Sequence, residues 1–167
     1  VDQAVQRGIE QAQQAEHNAP ADASMAYEAI IPSLVSIATP TDLGSGVIVN
    51  ADGAILTALH VVDGPAPIQV RFADGTATTA QVVATQPAID IAVLAAADLP
   101  QVVVPAVLAG PPPVGETVFA VGNPLGLQAS LSAGVVSATE RAITTEQGGT
   151  IEGLIQFDAA VNPGNSG

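Results

Sequence analysis

The sequence lacks cysteine, lysine and tryptophan, and it has only one tyrosine and three phenylalanines among 167 residues. Without cysteine, neither a disulfide framework nor a thiolate metal site can form. Three basic residues against 16 acidic ones give a formal net charge of −13. A surface so poor in cations cannot neutralise phosphates, which excludes nucleic acid and anionic membranes as expected partners.

Long apolar runs are also absent. No stretch approaches the about 20 residues needed to span a bilayer, so no membrane span is expected in this chain. The first residues lack the basic and apolar parts of a signal peptide. If the protein is exported, the leader is expected to have been removed.

The residues that are present favour an all-β fold. Hydrophobic residues make up 48% of the chain, and nearly all of them are Ala, Val, Ile or Leu. The 16 glycines and 13 prolines divide the chain into short segments. Small aliphatic side chains in short segments are typical of twisted sheets packed in close layers, and less so of helical bundles.

The chain divides into four regions by composition. Residues 1–30, rich in Gln and Ala, predict a helical leader or linker, within which His17 is interpreted as solvated. Residues 31–98 contain six β-branched runs, residues 99–113 form a Pro-rich connector, and residues 114–167 contain three further runs. This order predicts one complete β-barrel and a second, incomplete one. The predicted strands span 34–38, 46–50, 54–62, 68–72, 78–86, 90–95, 116–122, 129–140 and 151–160.

The last six residues, Asn-Pro-Gly-Asn-Ser-Gly, surround Ser166 with glycines. Such a segment can simply be a tight turn. It can also hold a nucleophilic serine, with the backbone N–H groups of Gly164 and Ser166 converging on one point as an oxyanion hole requires. A serine hydroxyl needs a general base within hydrogen-bond reach to act as a nucleophile.

His60 and Asp90 are the candidates for that base and its partner. Each interrupts an otherwise apolar run, so each is either a core residue with satisfied hydrogen bonds or a catalytic group. A buried carboxylate without donors is costly, and therefore Asp90 should have one. Turn glycines, backbone N–H groups or an imidazole N–H would serve. The order His, Asp, Ser along the chain is that of chymotrypsin-type proteases.

Several segments together resemble the HtrA/Deg family of trypsin-like serine proteases in the family's own order. They are residues 44–49, 52–53 with 55–57, 60–64, 90–94, 121–126 and 158–167.

The resemblance implies two β-barrels of the trypsin-like fold, the second incomplete, after a short N-terminal helical leader. It implies that His60 is the general base, that Asp90 orients it, and that Ser166 attacks the scissile carbonyl. Gly164 and Ser166 would supply the oxyanion N–H groups. Two positions depart from the family pattern: Leu59 replaces an Asn, and Ile89 replaces a Thr or Ser that supports the aspartate.

The resemblance also bears on substrates, partners and location. Ala160, Val161 and Asn162 would form one side of the specificity pocket, and without an acid they favour cleavage after small or medium aliphatic residues; Val161 can instead be a core residue. Unfolded polypeptides are the expected substrates, with no cofactor or metal.

A homotrimer is expected, with Tyr27 either a contact or an ordinary core or surface residue. The expected location is extracytoplasmic, periplasmic or secreted, with membrane anchoring through a missing N-terminal segment and an organelle lumen as further options. The family continues beyond this point with strands that complete the second barrel. A chain ending at Gly167 is therefore expected to have low or no activity itself. The alternative functions are a chaperone-like polypeptide-binding module and a catalytically silent fragment.

Overall fold

The computed structural model describes residues 23–122, 130–144 and 149–167. His17 and most of the predicted leader lie outside these residues. Within them, helix α1 covers residues 23–30 and helix α2 covers Leu59–Val62. The strands are β1 (Leu34–Ala38), β2 (Leu43–Ile48), β3 (Ile55–Ala58), β4 (Ile68–Phe72), β5 (Ala77–Gln86), β6 (Ile91–Ala96), β7 (Thr117–Gly122), β8 (Ser130–Thr144) and β9 (Thr150–Phe157).

Strands β1 to β6 form a closed antiparallel barrel with the order β1-β2-β3-β6-β5-β4. Strand β4 shows why these sequences close around a core: Ile68, Val70 and Phe72 are buried, while the two polar residues between them are exposed. This alternation places one face of each strand inside and the other in solvent. Ile37, Ile48, Ile55 and Leu94 are among the fully buried side chains at the centre.

Seven of the nine predicted strands differ from the observed ones by one to four residues at one or both ends, and two of these differences concern the candidate site. The predicted strand 54–62 ends at Ala58, because the chain turns into α2 and buries Val61 and Val62 from a helical turn. The predicted strand 90–95 begins only at Ile91, because Asp90 has a left-handed backbone (φ 57°, ψ 42°). Strand β2 begins at Leu43 rather than at residue 46, so Gly-Ser-Gly (44–46) lies within a strand.

Strands β7, β8 and β9 form a second antiparallel sheet in that order, with β7 and β9 at its edges. The pairing of β8 with β9 contains register shifts, as β-bulges produce. The sheet meets the barrel where β7 contacts β2. The prediction of a complete barrel, an incomplete second one and a short N-terminal helix is confirmed.

The chain between β6 and β7 runs along the barrel without forming a strand. Ala106 N–H donates to the Ile48 carbonyl at 2.8 Å, and Val103 packs against the barrel core. No helix in the described ranges is both long enough and apolar enough to cross a bilayer.

Candidate active site

His60 and Asp90 are joined by hydrogen bonds at one end of the barrel. The imidazole Nδ1 of His60 lies 2.5 Å from Asp90 Oδ2. The backbone N–H of His60 donates to the other carboxylate oxygen, Oδ1, at 2.9 Å. An ionised carboxylate only accepts hydrogen bonds, so Nδ1 carries the proton and Nε2 keeps a free lone pair. The pair therefore presents a nitrogen able to accept a proton.

Local backbone geometry positions this pair. The 3-10 turn Pro87–Ile89 ends at Asp90, whose left-handed conformation turns the chain into β6. The backbone carbonyl of Asp90 accepts a hydrogen bond from Leu59 N–H at 2.9 Å. Since β3 pairs with β6, the ends of these two strands bring the helix that carries His60 against Asp90.

The expectation that Asp90 has a donor is confirmed, but the expectation that its carboxylate is buried is wrong. Its side chain is 39% exposed and that of His60 is 58% exposed. The carboxylate is exposed because Asp90 follows the turn at residues 87–89, in which all three residues are exposed. Asp90 therefore lies at the end of the barrel rather than within a strand. The two donors on the carboxylate both come from His60, and neither depends on the hydroxyl that Ile89 lacks.

The Ser166 loop, residues 162–167, is attached to the barrel through Ser45 of β2. Ser45 N–H donates to the Ser166 carbonyl at 2.7 Å, and the Ser45 hydroxyl donates to the Gly164 carbonyl at 2.8 Å. Within the loop, Asn165 N–H donates to the Asn162 carbonyl at 3.0 Å. These bonds fix the direction of the backbone on both sides of Asn165.

The two predicted oxyanion donors lie in this loop. Gly164 has φ +101°, a conformation that side-chain-bearing residues rarely adopt, and it therefore allows the sharp turn before the serine. Across the part of the chain that the structure describes, neither Gly164 N–H nor Ser166 N–H donates a hydrogen bond. That both groups bind an oxyanion and converge on one point stays a prediction.

The Ser166 carbonyl and the side chain that follows His60 both border Gly44. A methyl group added at Gly44 would come within 2.9 Å of the Ser166 carbonyl oxygen and 2.6 Å of Val61, the neighbour of His60. Within the described residues, however, no hydrogen bond joins the Ser166 hydroxyl to the imidazole. The structure therefore brings His60 and Asp90 together and places Ser166 in the same region without a bond to them.

The predicted pocket residues lie at the start of the Ser166 loop and just before it, and the first of them contacts β8. The Ser132 hydroxyl donates to the Ala160 carbonyl at 2.6 Å. Ala160, Val161 and Asn162 are exposed, and Val161 keeps 57% of its surface accessible. The reading of Val161 as a core residue is therefore wrong for this chain.

Sequence reasoning missed two residues that shape the site, Ser45 and Thr57. Both are buried, and the Thr57 hydroxyl donates to the Ser45 carbonyl at 2.7 Å. Their only sequence signal was their place in the Gly-Ser-Gly and Ile-Leu-Thr segments. As for metals, no group of three His, Cys, Asp or Glu side chains within ranges 23–122, 130–144 and 149–167 could hold an ion.

Comparisons with known proteins agree with this architecture. Residues 44–167 match the family model of the trypsin-like peptidase domain. The chain is 40% identical over 132 residues to Protease Do-like 1, chloroplastic, of Arabidopsis thaliana, covering 77% of this chain and 30% of that protein. It is 41% identical over 129 residues to a probable periplasmic serine endoprotease DegP-like of Marinomonas sp., covering 76% of this chain and 26% of that protein. The chain thus spans less than a third of the length of these relatives.

Solved structures support the same assignment. The crystal structure of Deg5 superposes with a TM-score of 0.76 at 31% identity, covering 89% of this chain and 78% of that one. The HtrA-type protease AlgW with tripeptide gives a TM-score of 0.72 at 39% identity, covering 85% and 48%. With a family model over most of its length and Deg-type relatives in both sequence and structure, the chain belongs to the trypsin-like peptidases as a protease domain of the HtrA/Deg type.

Proposed function

We propose that this domain is the catalytic part of a serine endopeptidase in which His60, Asp90 and Ser166 form the catalytic triad. The observation that carries the proposal is the His60–Asp90 pair, whose hydrogen bonds leave Nε2 available as a base. Acyl transfer at neutral pH requires four kinds of group: an imidazole, a carboxylate, a hydroxyl and backbone N–H donors. The proposed site contains all four.

In the proposed reaction, Ser166 Oγ attacks the carbonyl carbon of the scissile peptide while His60 Nε2 takes the hydroxyl proton. The carbonyl electron pair moves to the oxygen, which the N–H groups of Gly164 and Ser166 stabilise. The tetrahedral intermediate collapses, the C–N bond breaks, and His60 gives the proton to the leaving amine. A water molecule then attacks the acyl carbon while His60 takes one of its protons. The ester C–O bond breaks, His60 returns the proton to Ser166 Oγ, and the acyl group leaves as a carboxylic acid. Asp90 holds the ring and stabilises the imidazolium formed in each half of the cycle.

The proposed substrates are unfolded or misfolded polypeptides, as part of protein quality control, cut after small or medium aliphatic residues. No charged side chain lies among residues 160–162, and Val161 is open to contact with substrate. A peptide library should therefore give Ala, Val or similar residues before the scissile bond. A profile dominated by Arg and Lys would contradict this specificity while leaving the catalytic proposal intact.

Location and assembly are part of the same proposal. Relatives are named as periplasmic and, in one case, as chloroplastic proteins, which favours an extracytoplasmic or organellar setting. We propose a homotrimer with Tyr27 on α1 as a contact, since this tyrosine keeps part of its surface exposed in a chain with so few aromatics. Light scattering of the wild type and Tyr27→Ala tests this assignment; an unchanged mass would contradict it.

The decisive experiment uses a fluorophosphonate probe on the natural full-length protein, with Ser166→Ala as the control. The probe should label the wild type at one site and leave the control unlabelled. Since no hydrogen bond joins Ser166 to His60 in the described residues, a polypeptide-binding module that does not cut is the second candidate. Binding of unfolded protein with no labelling and no hydrolysis would favour that module and overturn the protease.

A further inference from the structure

Ser45 is buried at the junction of the two β-structures and contacts the Ser166 loop with both its backbone and its side chain. It keeps only 1% of its surface exposed. Its backbone N–H holds the Ser166 carbonyl at 2.7 Å, a bond that any residue type at this position could make. Its hydroxyl holds the Gly164 carbonyl at 2.8 Å, across 119 residues of sequence, and only a side chain with a donor can make that bond.

The hydroxyl bond matters because of which peptide group it fixes. The Gly164 carbonyl and the Asn165 N–H belong to one planar peptide unit. Ser45 holds the carbonyl end, and the Asn162 carbonyl accepts from the N–H end at 3.0 Å. A peptide plane held at both ends cannot rotate without breaking a bond. The plane lies between the two N–H groups proposed for the oxyanion hole, so its orientation sets their relative position.

Gly122 at the end of β7 makes room for this arrangement. A methyl group there would approach the Ser45 hydroxyl oxygen to 3.1 Å and the side-chain carbon Cγ of Asn165 to 3.2 Å. The glycine thus allows the second sheet to lie directly against Ser45 and the loop. The Thr57 hydroxyl supports Ser45 from the other side through the Ser45 carbonyl, at 2.7 Å.

From these contacts we infer that Ser45 is a positioning residue for the proposed hydrolysis: its hydroxyl orients the Gly164–Asn165 peptide so that the Gly164 and Ser166 N–H groups face the developing oxyanion. The inference rests on the proposed function. It predicts an effect on the chemical step rather than on substrate binding, because the bond fixes groups that act on the transition state.

The test compares Ser45→Ala with the wild type in the full-length protein. We expect kcat to fall about 10- to 100-fold, because small displacements of catalytic groups have effects of this size, while KM changes less than about twofold. Thr78→Val is the matched control. It removes another buried hydroxyl of the first barrel, one that bonds Asp98 far along the chain from the loop. The control should keep kcat within about twofold.

Ser45→Cys is a second variant for the case in which Ser45→Ala does not fold. The cysteine side chain has a shape similar to that of serine, and its thiol is a weaker hydrogen-bond donor than the hydroxyl. Its kcat should lie between those of the wild type and the alanine variant. If Ser45→Ala does not fold, a Cys variant with wild-type kcat overturns the inference, and a reduced kcat at unchanged KM supports it.

The outcomes separate the two proposals. A wild type that reacts with the fluorophosphonate probe, together with a Ser45→Ala variant of unchanged kcat, overturns the positioning role alone. A wild type that neither reacts nor hydrolyses peptides overturns the protease and the positioning role with it. A loss that appears as raised KM with unchanged kcat also overturns the positioning role, since it indicates a substrate-binding effect.

Discussion

His60 meets the carboxylate of Asp90 at two points, with its backbone N–H on one oxygen and its imidazole Nδ1 on the other. A single carboxylate therefore fixes both the backbone and the ring of the same residue. This double contact holds at a site where both side chains are substantially exposed, so the ring depends on the contact for its orientation rather than on packing.

Replacing Asp90 by Asn should lower kcat/KM by roughly 10⁴-fold, as substitution of a triad carboxylate by an amide does. The amide can donate where the carboxylate only accepts, which favours the tautomer with the proton on Nε2 and removes the base. Steady-state hydrolysis of a peptide substrate measures the effect. Asp98→Asn changes a carboxylate of the same barrel that bonds Thr78, and it should stay within about twofold. Equal losses in both variants would contradict the role of Asp90.

Thr57→Val should reduce the free energy of unfolding by about 1–2 kcal/mol, because it removes a buried hydroxyl bond to the Ser45 carbonyl. Denaturant titration measures it. Thr79→Val, at an exposed position of the same barrel, should change stability by less than about 0.5 kcal/mol. The Thr57 and Ser45 variants should also be non-additive in kcat, since the two side chains support one loop. Strict additivity in a double-mutant cycle would show that Thr57 acts elsewhere.

Gly134→Ala should both destabilise the domain, by about 2–3 kcal/mol, and lower kcat/KM. The added methyl would lie 2.3 Å from Ala159 N and 2.5 Å from Asp158 Oδ1, and a backbone atom cannot move aside as a side chain can. Asp158 also holds the segment to β8 by accepting from Val135 N–H at 2.7 Å. Gly110→Ala is the control, since nothing lies within 4 Å of its added methyl. Similar unfolding curves for the two variants would contradict the prediction.

Asn165→Asp should destabilise the domain in a pH-dependent way. The Oδ1 atom of Asn165 is buried and accepts no hydrogen bond from the described residues, so a carboxylate there would be desolvated without a donor. Desolvation would raise the pKa of the new aspartate above its unfolded value of about 4. The folded state would then hold the proton longer than the unfolded state, so stability should fall as pH rises from about 4 through the raised pKa.

The loss should reach about 2–3 kcal/mol at neutral pH and disappear in acid. Urea titrations between pH 4 and 8 measure it relative to the wild type. The control is Asn162→Asp, at an exposed neighbouring position, which should show no such slope. A flat difference across this pH range would mean that the new carboxylate finds a donor.

The sequence was sufficient for much of the barrel, because alternation identifies strands whose faces differ. The bounds of β1 and β4 were predicted as the structure has them, and β4 alternates cleanly. The strand prediction failed at Leu59–Val62, where β-branched residues favour a strand but pack into the core from a helical turn. It also failed at Asp90, whose left-handed backbone an Ile-Asp-Ile sequence does not indicate.

In the candidate site, too, the sequence identified some residues and missed others. His60 and Asp90 stood out because a polar residue in an apolar run needs a reason, and the structure joins them. Ser45 did not stand out, because the predicted strand began only at residue 46 and a serine between two glycines carries no local sign of burial. Its importance comes from a bond to Gly164 that spans 119 residues, and no local pattern encodes a partner so distant.

That long span has a consequence for biosynthesis. During synthesis the first barrel can close with His60 and Asp90 already paired, since both lie within residues 34–96. In the proposed mechanism, Ser166 joins this pair only when its loop has reached Ser45, and contacts of such high sequence separation form late. A nascent chain would thus carry the His60–Asp90 pair before the Ser166 loop is in place, and the proposed peptidase activity would appear only after the domain itself has folded.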